Sequence, residues 1–212
     1  MSSLCESAIR SKRWRCAAVL ALAASLFACS TSGTTRSAEI ATQDESGFTI
    51  KERVSVSASI RASFNSAMRL LEQGQYDSGI PLLADVTEAA PEVTSLHIDL
   101  GIAYARVGEL ERAEDSIKNA LQLNPRHPVA HNELGILYRK MGRFEKARKS
   151  YDTALDVYPD FHFARRNLAI LCDIYLSDLS CAMKHYMLYS KAVPDDEAAA
   201  MWIADLRNRT GE

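Results

Sequence analysis

A period of 34 residues runs through this chain from about residue 60 onward. Self-similarity at a fixed spacing of a few tens of residues is typical of repeat proteins, whose units bury their apolar faces only by stacking on neighbours. The residues that recur in register are Leu100, Leu134 and Leu168; Gly101, Gly135 and Ala169; Tyr104, Tyr138 and Cys172; Gly74, Gly108 and Gly142; Gly79, Ala113 and Ala147; Val86, Ala120 and Ala154; and Pro91, Pro125 and Pro159.

Each unit has the residue types of two short helices joined by a turn. Small residues such as Gly101 and Ala113 allow the two helices to approach closely. Gly108 is suited to the turn because glycine tolerates a positive φ. Pro125 ends the second helix because proline has no N–H to donate. The pattern predicts an all-α protein.

The motif formed by these positions resembles the tetratricopeptide repeat (TPR). It appears as His97-x2-Leu100-Gly101-x2-Tyr104 with Ala113-x3-Ile117 and Pro125, and again as His131-x2-Leu134-Gly135-x2-Tyr138 with Ala147-x3-Tyr151 and Pro159. The resemblance implies a right-handed superhelical solenoid of about four helix pairs. The expected TPR domain is 58-208, with units at about 60-93, 94-127, 128-161 and 162-194 and a capping helix at 195-208. The first unit lacks the Leu-Gly pair, and the fourth needs one inserted residue near Ser177.

The N-terminal segment has the pattern of an export signal. Residues 10-15 are basic, and the uncharged apolar run at 16-28 is shorter than the roughly 20 residues that span a bilayer. The run ends in Leu26-Phe27-Ala28-Cys29, which resembles the bacterial lipobox. The resemblance implies a lipoprotein signal peptide at 1-28, acylation (palmitate) of Cys29, and anchoring to the periplasmic face of the outer membrane, because Ser30 follows the cysteine. The alternative is an ordinary signal peptide that leaves Cys29 free.

Residues 29-57 are predicted to be a lipidated cysteine followed by a disordered linker. The stretch 30-47 is rich in Ser, Thr and small residues without apolar periodicity. For 48-57 the pattern leaves an extended strip and a first helical turn equally open.

Charge and motifs exclude several function classes. The chain has 25 basic and 27 acidic residues, without the basic stripe that nucleic acid requires. It has no nucleophile–base–acid set and no phosphate loop, so we expect a non-catalytic protein without a cofactor. The charged stretches around Glu114 and Arg143 are interpreted as solvated helix faces.

A peptide-binding groove is expected along the first helix of each pair. It is taken as the face opposite to the one that carries Leu100, Gly101 and Tyr104. Solenoids use such concave surfaces for binding, and this one would suit a partner of some acidic character. The candidate residues are Phe64, Met68, Ile98, Ile102, Arg106, Asn132, Ile136, Arg139, Lys140, Arg166, Ile170 and Asp173. The alternative is that the isoleucines are packing residues and the cations are solvated.

Two cysteines remain after the signal and Cys29 are set aside. Cys172 and Cys181 flank the last turn and would form a disulfide in an oxidising compartment, or else remain two buried thiols. His127 and His131 have metal-ligand spacing, but Pro128 lies between them and no third ligand is evident, so no metal site is expected.

The stretches NPRHPVAHNELGILYRKMGRFEKARKSY and YPDFHFARRNLAILCDIYLSDLSCAMKHY resemble bacterial TPR lipoproteins described as components of TonB systems. That resemblance implies a partner of the TonB, ExbB or ExbD type in the cell envelope. The function expected is a scaffold or adaptor for protein–protein interaction. The alternatives are a lipoprotein for pilus or secretin assembly and, more remotely, a cell-wall-active enzyme.

Overall fold

The computed structural model describes residues 39–44, 47–51 and 55–211, all within one compact unit that spans 36–212. The signal peptide at 1-28, Cys29 and the linker up to residue 38 lie outside the described residues.

A two-stranded antiparallel hairpin precedes the helices. Strand β1 (Glu39–Asp44) pairs with β2 (Gly47–Lys51), with Ile40 opposite Ile50 and Gln43 opposite Phe48. This differs from the disordered linker predicted for 29-57, and it makes residues 47–51 extended and not helical. The physical reason is that β-branched and aromatic residues, which recur in β2, favour the extended backbone.

Four helix pairs and one further helix follow in the described part of the chain, which confirms the predicted all-α TPR fold. The helices are α1 (Ala58–Glu72), α2 (Tyr76–Ala89), α3 (Thr94–Arg106), α4 (Leu110–Leu123), α5 (Pro128–Lys140), α6 (Phe144–Val157), α7 (His162–Ile170), α8 (Leu179–Ala192) and α9 (Glu197–Thr210). Each pair packs within itself and on the next pair, so that one core runs through the stack.

The close approach inside a pair depends on its helix glycine. A Cβ added at Gly101 would lie 2.6 Å from Cγ1 of Ile117, and one at Gly135 would lie 2.5 Å from Cε1 of Tyr151. Both distances are far below van der Waals contact. Ile117 and Tyr151 are almost fully buried in the space that the missing side chains leave.

The fourth pair departs from the repeat at one place. Residues Leu171–Tyr175 form a π-helical turn between α7 and the loop before α8. A π turn contains one residue more than the α-helical turn it replaces. It therefore accommodates the inserted residue that the repeat alignment requires near Ser177.

Polar contacts bridge consecutive pairs. Glu114 on α4 accepts hydrogen bonds from Tyr138 (3.1 Å) and Arg143 (2.8 Å) of the next pair, and it pairs with Lys118 at 2.7 Å. Burial raises the pKa of Glu114, but these donors outweigh it and hold the pKa below its usual range. The sequence interpretation of a solvated face was therefore wrong for Glu114, which the neighbouring unit buries, whereas Arg143 remains exposed.

Helix α9 covers the end of the stack. Asp196 caps it by accepting from the backbone N–H of Ala198, and Leu206 is fully buried. The Trp202 ring lies 5.2 Å from that of Tyr186 between ring centres. Arg209 donates to Asp173 at 2.8 Å, which ties α9 to the π-helical turn.

Candidate protein-binding groove

The twelve predicted groove residues all lie on first helices of the pairs or on the π-helical turn, but the structure gives them different roles. Ile98 is 4 % exposed and belongs to the core. Asn132 is also 4 % exposed, donates to Glu133 at 3.0 Å and accepts from Asn167 at 2.9 Å. Ile98 and Asn132 are therefore packing residues that hold neighbouring helices together.

Asp173 is not a groove residue either, for a different reason. Its carboxylate is only 13 % exposed and accepts the hydrogen bond from Arg209 of α9. Sequence reasoning could not find this pair, because α9 stands outside the repeat register. Asp173 positions the capping helix.

Five apolar candidates form a half-buried stripe. Their inner sides pack against the core and their remaining surface is open. They are Phe64, Met68, Ile102, Ile136 and Ile170.

Sequence analysis missed further apolar side chains toward the C-terminal end. Phe163 is 43 % exposed, and Ile174 and Met201 are each 65 % exposed. Ile174 has the repeat register of Arg106 and Lys140, so the 34-residue spacing itself could have identified it. Large apolar side chains this exposed are often interaction surface.

The basic candidates differ in burial. Arg106 and Lys140 are exposed, and Lys140 Nζ donates to the backbone oxygen of Ala105 at 3.2 Å. Arg139 is half-buried, with its guanidinium carbon 5.7 Å from the ring centre of Tyr175. Arg166 is half-buried and lies 5.8 Å from the ring centres of both Phe163 and Tyr189. These contacts hold the cations in place along the stripe.

The sequence analysis also missed a row of polar residues that share one position in successive repeats. Its members are Asn65, Asp99, Glu133 and Asn167, each 34 residues from the next. Burial raises the pKa of Asp99 to about 6, and no hydrogen bond or ion pair engages it in the described part of the chain. Burial also raises the pKa of Glu133, although the hydrogen bond from Asn132 and the nearby Lys140 and Arg106 lower it. Perturbed carboxyls on a concave face are candidates for a binding role.

Residues at the start of α1 enclose an open cavity of about 380 Å³. Its lining includes Arg61 and Asn65, together with Val56, Ala58 and Ala62. Asn65 is the first member of the polar row, so the cavity lies at the first-unit end of that row.

Cys172 and Cys181 form a disulfide, with their Cα atoms 5.9 Å apart. The equivalent pairs in the earlier units are Tyr104 with Arg112 and Tyr138 with Lys146, in which the cation lies 4.0 Å and 5.6 Å from the ring centre. The same two positions therefore face each other in three consecutive units. The repeat register places Cys172 and Cys181 at these two positions once the inserted residue is allowed for.

The described residues bring together one group with metal-ligand potential, Cys172, Cys181 and Asp178. The two sulfurs are bonded to each other, and Asp178 accepts from the backbone N–H of Cys181 and pairs with Arg148. His127 caps α5 by accepting from the N–H of Ala130, and His131 contacts the Pro125 oxygen at 2.9 Å. His97 makes the equivalent contact to Pro91 at 2.8 Å. These histidines join successive repeat units.

No described helix combines the length and the apolar character needed to cross a membrane. The first helices of the four stacked pairs carry the apolar stripe, the basic residues and the polar row on one surface. A surface of this kind suits an extended or helical segment of another protein.

Comparison with known proteins agrees with this architecture. Two models described as tetratricopeptide repeat match residues 64–131 and 128–161. Subunit 3 of the anaphase-promoting complex from Dictyostelium discoideum is 38% identical over 66 residues, which are 31% of this chain and 7% of that protein. The chain thus spans a small fraction of that relative.

Several solved structures have the same fold at low sequence identity. MamA from Desulfovibrio magneticus superposes with a TM-score of 0.64 at 17% identity, covering 74% of this chain and 88% of that one. Pseudomonas aeruginosa PilF superposes with a TM-score of 0.65 at 18% identity, and the match covers 71% of this chain and 68% of that one. A thermophilic TPR protein from Thermus thermophilus superposes with a TM-score of 0.62 at 23% identity, and the match covers 69% of this chain and 80% of that one. The chain therefore contains tetratricopeptide repeats and has the all-α TPR fold, which is suited to protein–protein interaction.

Proposed function

We propose that this protein is a non-catalytic scaffold of the bacterial cell envelope that binds another protein along the concave side of its repeats. The observation that supports the proposal is the surface left uncovered on the first helices. There a half-buried apolar stripe, including Ile102 and Ile136, lies on the same helices as exposed cations and half-buried carboxyls. Burial raises the pKa of both Asp99 and Glu133, and perturbed carboxyls of this kind cluster at functional sites.

The cellular part of the proposal is that the chain is held on the periplasmic face of the outer membrane by acylated Cys29. It is supported by the basic and then apolar pattern of residues 10-28 and by the lipobox-like ending. Several acyl chains anchor a protein far more firmly than one. Growth with labelled palmitate should label the wild-type protein, and Cys29→Ser should abolish the label.

The partner is proposed to be a protein of a TonB-linked system, of the TonB, ExbB or ExbD type. The support is the similarity of the third and fourth units to lipoproteins described in that setting. Photo-crosslinkers placed at Ile102 and Ile136 in the full chain should capture this partner, whereas one placed at the exposed Lys149 on α6 should not. Equal capture from all three positions would mean that the concave side is not the binding surface.

A role in pilus or secretin assembly is the second candidate. It was the alternative expected from the sequence, because lipidated repeat proteins also serve in such assemblies, and Pseudomonas aeruginosa PilF shares the fold at 18% identity. The two candidates separate by phenotype. Loss of pili on deletion, with TonB-dependent uptake unchanged, would support assembly, and the reverse result would support the TonB-linked role.

A further inference from the structure

Helix α9 has the repeat register of the first helix of a fifth pair. When the inserted residue is allowed for, Ala199 and Leu206 correspond to Ala164 and Leu171 of the fourth pair, and all four are fully buried. In the part of the chain that the structure describes, no second helix follows α9 to pair with it. Because each unit of a solenoid stacks only on its neighbours, the stack presents an unpaired helix at this end.

The face of α9 that would contact a second helix is uncovered. In the second, third and fourth pairs the same face is buried, and its members are Leu100, Gly101 and Tyr104, then Leu134, Gly135 and Tyr138, then Leu168, Ala169 and Cys172. The corresponding residues of α9 are Ile203, which is half-buried, and Ala204 and Arg207, which are exposed. This face is opposite to the one that forms the groove in the other first helices, so it is a separate surface.

Helix α8 adds apolar side chains at the same end of the stack. At the position where Glu114 and Arg148 form ion pairs with the next pair of helices, α8 has Met183. Met187 follows one turn later and is 50 % exposed. The first pair also has an apolar residue at this position, Ile80, and that residue is buried in the core. An apolar side chain here is therefore covered where a further pair stacks, whereas the two methionines of α8 leave surface open.

A helix that docked on α9 as α6 docks on α5 would begin beside Met183. The ion-pair partners of Glu114 and Arg148 are Arg143 and Asp178, which are the N-cap residues of α6 and α8. The uncovered face of α9 and the methionines of α8 therefore border one site for a helix. Methionine suits such a site because its flexible side chain adapts to different apolar partners.

The charge at this site selects among occupants. Arg207 has the register of Tyr104 and Tyr138, whose ring centres lie 4.0 Å and 5.6 Å from the cationic groups of Arg112 and Lys146. A docked helix would thus place the residue that precedes its small packing residue against Arg207. Arg207 forms no ion pair with another described residue, so an acidic residue is complementary there. A second copy of this chain fits poorly, because its α4 and α6 carry cations at that place and already pack within their own pairs.

We propose that the end of the stack formed by α8 and α9 binds an amphipathic helix of a partner protein. That helix packs a small and a bulky apolar residue on Ile203 and Ala204, begins beside Met183, and places an acidic residue against Arg207. This surface is separate from the concave side, so the proposal does not depend on the proposed function.

The probe is a synthetic peptide with the sequence of α6, Phe144–Val157, carrying Lys146→Glu to supply the acidic residue. A hydrocarbon staple on its outward face keeps it helical, because an isolated helix of this length is marginal in water. The matched control is the stapled peptide that retains Lys146. By fluorescence anisotropy with the full chain, we expect saturable binding of the Glu peptide and about fivefold weaker binding of the Lys peptide. Equal affinities, or no binding of the Glu peptide, would overturn the proposal.

Charge exchange tests Arg207 itself. Arg207→Glu should reverse the preference, so that the Lys peptide binds more tightly than the Glu peptide. Arg126→Glu makes the same charge change at an exposed position before α5 and should leave the preference as in wild type. A preference that does not reverse in folded Arg207→Glu, judged by its thermal midpoint, would mean that the acidic residue does not face Arg207.

Methionine methyl NMR locates the bound peptide. The signals of Met183 and Met187 should shift on addition of the Glu peptide, and those of Met68 and Met141 should not. A shift at Met68 alone would place the peptide on the concave side, which would overturn this proposal and support the proposed function. Ala204→Glu, at an exposed position, should abolish the binding. Dimers of the peptide-free chain that this variant dissociates, seen by sedimentation, would instead make a second copy the occupant and overturn the proposal.

Discussion

At the scale of single residues, the turns between paired helices show how strongly one backbone angle constrains the sequence. Gly74, Gly108 and Gly142 occupy the same point of the first three turns with φ between 70° and 84°. In the fourth turn Ser177 takes this place with φ 53°. A residue with a Cβ in this region is strained by about 1 kcal/mol, because the Cβ approaches the following carbonyl.

Ser177→Gly should therefore stabilise the protein by roughly 0.5 kcal/mol, since part of the relieved strain is offset by the greater freedom of glycine in the unfolded chain. Urea unfolding followed by circular dichroism measures the change. Ser177→Ala is the matched control, because it removes the hydroxyl but keeps the Cβ. A gain of the same size in both variants would show that backbone strain is not the cause.

The ionised carboxylate of Asp99 destabilises the native state, because burial removes part of its hydration. Its pKa of about 6 lies above the value of 3.8 expected for an unperturbed aspartate. Between these pH values the native state holds more protons than the unfolded state, so the stability of the native state falls as the pH rises through the interval. The cost is complete above about pH 6 and absent below about pH 4.

Asp99→Asn should remove that cost, with a gain of about 1–2 kcal/mol at pH 7 after allowance for the partial exposure of the side chain. The gain should vanish near pH 3.5, which unfolding curves at the two pH values would show. Asp85→Asn, at an exposed position on α2, should change stability at neither pH. A gain that is the same at both pH values would mean that charge burial at Asp99 is not responsible.

At the scale of elements, the fourth pair combines an irregular turn with a covalent link. The π-helical turn at Leu171–Tyr175 leaves the backbone N–H of Asp178 bonded to the oxygen of Cys172 at 2.9 Å. The disulfide between Cys172 and Cys181 closes the same hairpin across nine residues. The link therefore stabilises the turn whose regular length the insertion has changed.

Reduction of this disulfide should destabilise the C-terminal pair by about 2–3 kcal/mol, the loop-closure value for a loop of this length. Hydrogen exchange should show the loss first in α8 and α9, because each unit of a solenoid contacts only its neighbours. The Cys172→Ala, Cys181→Ala double variant is the control and should not respond to dithiothreitol. Uniform loss of protection along all helices would contradict a local role.

At the scale of the whole molecule, stacking joins side chains from four units into one surface of alternating character. The apolar stripe includes Phe64, Ile102, Ile136 and Ile170. The basic residues Arg106 and Lys140 lie toward the turn ends of α3 and α5. Asp99 and Glu133 belong to the polar row. A partner that matches this pattern must present apolar side chains together with charges of both signs.

Arg139→Glu combined with Lys140→Glu should abolish binding of the captured partner, because it reverses two positive charges of the groove. We expect a lower thermal midpoint but a cooperative melt, since Arg139 lies over the Tyr175 ring and Lys140 donates to the Ala105 oxygen. Pull-down with the purified partner and a thermal melt measure the two effects. Reversal of the exposed Lys149 with Lys146 on α6 is the charge-matched control. Unchanged binding by the groove variant would exclude the concave side as the interface.

The amino-acid sequence by itself determined the helical pairs, because the 34-residue period places Gly101, Gly135 and the turn glycines wherever helices must approach or reverse. It also located the insertion near Ser177. The roles of single side chains were decided by tertiary contacts that no local pattern encodes. Asp173 pairs with Arg209, 36 residues away, and Asn132 forms a hydrogen bond with Asn167, 35 residues away. Neither Asp173 nor Asn132 is therefore available to bind a partner in the groove. Stacking also leaves Asp99 half-buried and Arg139 without a counter-ion among the described residues, because the environment of each is made by neighbouring units as well as by its own helix.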